Sequence, residues 1–80
     1  MPTLPVLSGQ ETVRVFETLG WKVARQQGSH IVLIKVGHAA TLSIPNHREV
    51  AKGTLRSLIR SAGLTVDEFA AALNTRHHRP

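Results

Sequence analysis

Apolar positions follow a helical spacing at both ends of this chain and a strand-like pattern in its middle. Ser8 precedes Glu11 by three residues. That is the pairing of a capping box, in which each side chain satisfies the other residue's free backbone N–H. Thr12, Val15, Phe16 and Leu19 then recur at i, i+3, i+4 and i+7, which predicts a helix over about residues 9–19 with that face buried. Gly20 is a natural stop. Trp21 to Gln27 is short and holds β-formers, and Gly28-Ser29 reads as a turn. His30 to Val36 is the strongest strand, with Val or Ile at four of its seven positions. Gly37-His38 makes the next turn, Ala40 to Ile44 alternates, and Pro45 closes that strand. Connections this short cannot make parallel crossovers, so the three strands are expected to form an antiparallel meander.

The helical period then returns. Ala51, Leu55, Leu58, Ile59 and Ala62 form one apolar stripe on a helix over about residues 52–62, ended by Gly63. Thr65 and Glu68 repeat the capping box, and Val66, Phe69, Ala70 and Leu73 predict a short third helix over about residues 66–73. The order is α-β-β-β-α-α. A three-stranded sheet has one face that amphipathic helices can cover, which makes an α+β two-layer sandwich. At 80 residues the chain is expected to be a single domain, with a core over about 8–73 and a flexible basic tail over 74–80.

Charge changes this picture by naming a partner class. Ten Lys and Arg oppose five Asp and Glu, a net charge of +5, which favours a polyanion such as nucleic acid. Only three residues are aromatic, too few for a platform that stacks single-stranded bases. The chain has no cysteine, so disulfides and thiolate zinc sites are excluded and a cytoplasmic setting is expected. No run approaches the roughly 18 apolar residues that span a bilayer, and the first five residues, without a basic start or a long apolar region, are not expected to begin a signal peptide. The few carboxylates are scattered or used in caps, so no metal site and no cofactor are expected.

His30 is the foremost candidate for chemistry. It opens a strand beside the small residues Gly28 and Ser29, and histidine exchanges protons near neutral pH. RNA carries its own nucleophile in the 2′-hydroxyl, so one base and some cations suffice to cut it without metal. Ser29, Arg25, Lys35 and the row Lys52, Arg56 and Arg60 are candidates for holding phosphate. The row follows a spacing of four on one helix face, with no acid at i±4 in that helix. His47, in the loop after Pro45-Asn46, is a candidate second group if the sheet brings it near His30. Other readings use the same residues. His30 could only donate a hydrogen bond, leaving a non-catalytic RNA-binding module, or the basic face could serve an acidic protein. His38, in a turn, is expected to have no task, and His77 and His78 are no specific metal site.

Leu19-Gly20-Trp21, Gly28-Ser29-His30, Ile44-Pro45-Asn46-His47 and the segment Lys52 to Leu64 stand in an order and spacing that resemble the HicA toxins of bacterial HicA–HicB toxin–antitoxin modules, also described as YcfA-like messenger-RNA interferases. The resemblance covers about residues 8–69. It implies a fold like the double-stranded-RNA-binding domain and an endoribonuclease that cleaves mRNA without a metal. It also implies His30 as the active-site histidine and a cognate HicB-like antitoxin as partner. Ile31 stands where a second histidine or polar residue often follows the signature.

Overall fold

The computed structural model describes residues 4–77, and the side chains of residues 4–75. Its elements are α1 (Gly9–Thr18), β1 (Lys22–Gln27), β2 (His30–Ile34), β3 (Leu42–Pro45), α2 (Lys52–Ser61) and α3 (Val66–His77). The three strands form one antiparallel sheet in the order β1-β2-β3. The expected α+β sandwich and meander are therefore present.

Both capping boxes form. The Ser8 N–H donates to Glu11 Oε1 at 2.9 Å, and the Glu11 N–H donates to Ser8 Oγ at 3.1 Å. The Thr65 N–H donates to Glu68 Oε1 at 2.8 Å, with the return bond to Thr65 Oγ1 at 3.0 Å. α2 starts differently. Its N-cap is Ala51, whose side chain offers no acceptor, and its first turn holds no acid.

Ile31 and Leu33 on β2, with Leu42 and Ile44 on β3, face the helices and are buried. α1 packs on β1 and β3, while α2 packs on β3. α3 packs against α1 and α2, where Phe69 meets Phe16 with ring centroids 5.2 Å apart. Phe16, Trp21, Leu33, Ile44, Leu55, Ile59 and Phe69 are the largest part of this core. Burying one such side chain is worth about 1.5–3 kcal/mol.

β1 is an edge strand with all six residues exposed. Its pairing with β2 slips by one residue between Val23 and Arg25, a bulge of the kind that shields sheet edges. β2 stops at Ile34 rather than Val36, because the His38 N–H donates to the Lys35 carbonyl at 3.1 Å and closes a turn through Gly37 at φ +80. β3 starts at Leu42, two residues later than the alternation suggests.

Two expectations are corrected. α3 does not end at Leu73. It continues through His77, so Asn74 to His77 are helical, and Thr75 Oγ1 donates to the Ala71 carbonyl at 2.9 Å. Residues 78–80 lie outside the described residues. His38 also has a structural role. Its ring lies 5.0 Å from that of Trp21, and its Nε2 is 3.6 Å from where a Cβ on Gly63 would be. It therefore ties the β2–β3 connection to the core and to the end of α2. His38 Nδ1 and Trp21 Nε1 are both buried with no protein partner.

Candidate functional site

The site is built at the β1–β2 hairpin. Gly28 has φ +56 and Ser29 has a negative φ, the pattern of a type II′ turn, which favours glycine at its first central position. A two-residue loop fixes its flanking pair, so Gln27 stands opposite His30. The next strand places Pro45 on His30's other side.

His30 alternates with the buried Ile31 and so points away from the helices, onto the open face of the sheet. It is exposed and its side chain makes no intramolecular hydrogen bond. Arg25 lies on the same face, opposite Val32 and hence diagonal to His30. Ser43 is the matching diagonal on β3.

A second segment is tied to this corner by backbone bonds. The Asn46 N–H donates to the Ser29 carbonyl at 2.7 Å, extending the β2–β3 ladder past Pro45. The Gly9 N–H donates to the His47 carbonyl at 2.8 Å, and the Val50 N–H to the Leu7 carbonyl at 2.8 Å. Gln10 Nε2 donates to Asn46 Oδ1 at 3.2 Å. The start of α1 thus holds the loop after β3 against the hairpin. His47 is exposed, two residues beyond His30's partner on β3.

α2 leaves from this same loop. Its far end lies at Gly63, beside His38, in the connection at the opposite end of the sheet. Lys52 therefore begins the basic row near the His30 end, and Arg60 lies about 12 Å further along the helix. All three cations are exposed, and none is in an ion pair with a described residue.

Lys35 is not brought to this corner. It follows β2, about 16 Å along the strand direction from His30, and its chain packs near Gly20. Ser29, His30, Asn46 and His47 are drawn together, Arg25 shares the open face, and the row on α2 runs away from them. The sequence pattern did not single out Gln27, although the two-residue turn was the signal that pairs it with His30. Among the described residues no three His, Asp or Glu side chains group as metal ligands do. None of their helices is long and apolar enough to cross a membrane.

A small α+β domain with a solvent-facing histidine at a hairpin corner and a row of unpaired cations is thereby defined. The family model described as the HicA toxin of bacterial toxin–antitoxin systems matches residues 9–64, which span α1 through the end of α2. The chain belongs to that family. It is a toxin of a toxin–antitoxin module, and a cognate antitoxin is its partner. No curated protein matches the chain significantly.

Proposed function

We propose that this toxin is an endoribonuclease that cleaves messenger RNA without a metal ion, with His30 as the proton-transfer group. The observation that carries this reading is the placement of His30. It is an exposed imidazole without an internal partner, on a backbone fixed by a hairpin turn and by two flanking strands. A ring so placed is open to a polymer, and family membership gives a reason for it to be destructive.

The neutral ring takes the proton from a ribose 2′-hydroxyl. The oxygen attacks the adjacent phosphorus, the P–O5′ bond breaks, and the 5′-oxygen leaves with a proton from water or from a second acid. The products are a 2′,3′-cyclic phosphate and a 5′-hydroxyl. His47 is the candidate second acid, since its loop is bonded to the same corner. Ser29 and Arg25 are candidates to bind the phosphate at the cut. Lys52, Arg56 and Arg60 would follow the RNA backbone away from it, and Lys35 would contact only a more distant phosphate.

The test combines a variant with altered substrates. His30→Ala is expected to fold and to lose cleavage, because an exposed strand-end side chain adds little to the core. Cleavage by the native chain should persist in EDTA and stop when the nucleotide at the cut carries 2′-deoxyribose. Cleavage by folded H30A, or products ending in a 3′-hydroxyl, would overturn the assignment. RNA binding with no cleavage by the native chain would instead leave a binding module.

A further inference from the structure

We infer that Gln27 is a positioning residue for His30: its carboxamide oxygen accepts a hydrogen bond from one ring nitrogen and so directs the other towards the RNA. This rests on the nuclease reading above and deepens it. The inference starts from the turn. The II′ hairpin at Gly28-Ser29 fixes Gln27 opposite His30, and residues directly opposite share a face. A closing pair of this kind has Cα atoms about 5.5 Å apart, within reach of a glutamine side chain and an imidazole.

The other neighbours cannot serve as well. Pro45, opposite His30 on β3, has no side-chain acceptor. Arg25, the diagonal neighbour on β1, only donates. Ser43, the diagonal on β3, is roughly 7–8 Å away at the backbone and has a short side chain. Gln27 has both an acceptor and the length. Its side chain is exposed and takes part in no intramolecular hydrogen bond.

A neutral imidazole carries one N–H, and which nitrogen holds it depends on what the other groups accept. An amide oxygen beside one nitrogen keeps the proton there. The second nitrogen then presents its lone pair to the 2′-hydroxyl. In the structure the two side chains are not yet bonded to each other, and the bond would form as RNA orders the corner.

Gln27→Ala is expected to lower kcat about tenfold with KM little changed, the factor that one hydrogen bond of about 1.4 kcal/mol carries. Gln27→Glu gives a readout that a merely structural role would not move. A carboxylate on the residue directly opposite the ring favours the imidazolium. The midpoint of the His30 ring in an NMR titration should be higher in this variant than in the native chain at low salt, and the acid limb of the kcat profile should move with it. Arg25 on β1, His47, Arg48 and Glu49 in the loop after β3, and Lys52 at the start of α2 are the other charged or titratable groups on the segments around this corner, and all are unchanged in the variant. The NMR shift is read without RNA. If the native chain cleaves through His30 but Q27A keeps full kcat, or if Q27E leaves the NMR midpoint in place, the positioning role is overturned. A shifted midpoint in a chain that does not cleave would instead sink the nuclease reading alone.

Discussion

Gly9 offers a test in which two physical rules give opposite signs. It is the first residue of α1, and replacing a helical glycine with alanine ordinarily stabilises by up to about 1 kcal/mol. Here the backbone of the loop after β3 lies against it. A Cβ on Gly9 would run into the Pro45 carbonyl oxygen, and would stand 2.8 Å from Asn46 Cα and 3.1 Å from the Pro45 carbonyl carbon. All three are backbone atoms, so no side chain can rotate away. Forcing a methyl group into such a space costs about 1–3 kcal/mol. Gly53, at the second position of α2, is the internal control, because a Cβ there would meet nothing within 4 Å. Gly53→Ala should therefore gain the helical stabilisation alone, while Gly9→Ala should gain it and suffer the steric penalty as well. The two variants should differ by about 1–3 kcal/mol. In a chain of this size each kcal/mol moves the melting temperature by about 4–8 °C.

Thermal unfolding followed by circular dichroism measures this difference directly. A site-level readout should accompany it. The Asn46 N–H that bonds Ser29 and the Gly9 N–H that bonds His47 should both shift in an amide NMR spectrum of Gly9→Ala. Because those bonds hold the loop at the His30 corner, RNA cleavage should fall in the same variant. Equal stabilisation by the two substitutions would refute the close approach and, with it, the claim that α1 anchors this loop.

Replacing Lys52, Arg56 and Arg60 together by alanine should weaken RNA binding and flatten its salt dependence by roughly 0.7–0.9 for each phosphate no longer neutralised, and an unaltered slope in a binding titration would reduce the row to a solvated face. The cognate antitoxin should carry an acidic surface over the hairpin corner and the start of α2, so hydrogen exchange on the complex should slow at residues 28–31 and 52–60. Protection confined elsewhere, with the corner still exchanging freely, would point to indirect inhibition. His38→Ala should remove the ring packed at 5.0 Å on the only tryptophan, red-shift the emission of the now wetter Trp21 and cost about 1 kcal/mol. An emission spectrum and urea midpoint identical to the native chain's would contradict that packing.

Local signals made most of the architecture legible. The capping boxes at Ser8/Glu11 and Thr65/Glu68 fix two helix starts from four residues, because the bonds involved span only three positions. Leu55, Leu58, Ile59 and Ala62 of the expected stripe mark the buried face of α2 for the same reason, whereas Ala51, read into that stripe, is the exposed N-cap. Strand ends were less legible. Val36 has the composition of a strand residue, yet it is 93% exposed in the turn that follows β2. What stops the strand is a bond between Lys35 and His38, not the propensity of Val36. Asn74 to His77 carry no apolar stripe, but nothing in them breaks a helix, so α3 extends across them.

Candidate chemistry was legible where the chain puts it locally and hidden where tertiary packing assembles it. Gly28-Ser29-His30 declares a turn and a strand-end imidazole in three letters. No spacing rule announces that the start of α1 would clamp Asn46 and His47 against that turn, since the bonds from Gly9 and Gln10 cross more than 35 positions. His38 illustrates the converse. Read locally it is a turn histidine, and only the approach of Trp21 and Gly63 gives it a place in the packing. The same division explains why Lys35 separates from the other candidates. A strand moves a side chain about 3.3 Å per residue, so five residues of β2 carry Lys35 away from His30. A helix advances only about 1.5 Å per residue, so α2 keeps three cations on one short track. The secondary structure between two charges therefore decides whether they can act on one phosphate. In this chain it favours Arg25 across the hairpin over Lys35 along the strand.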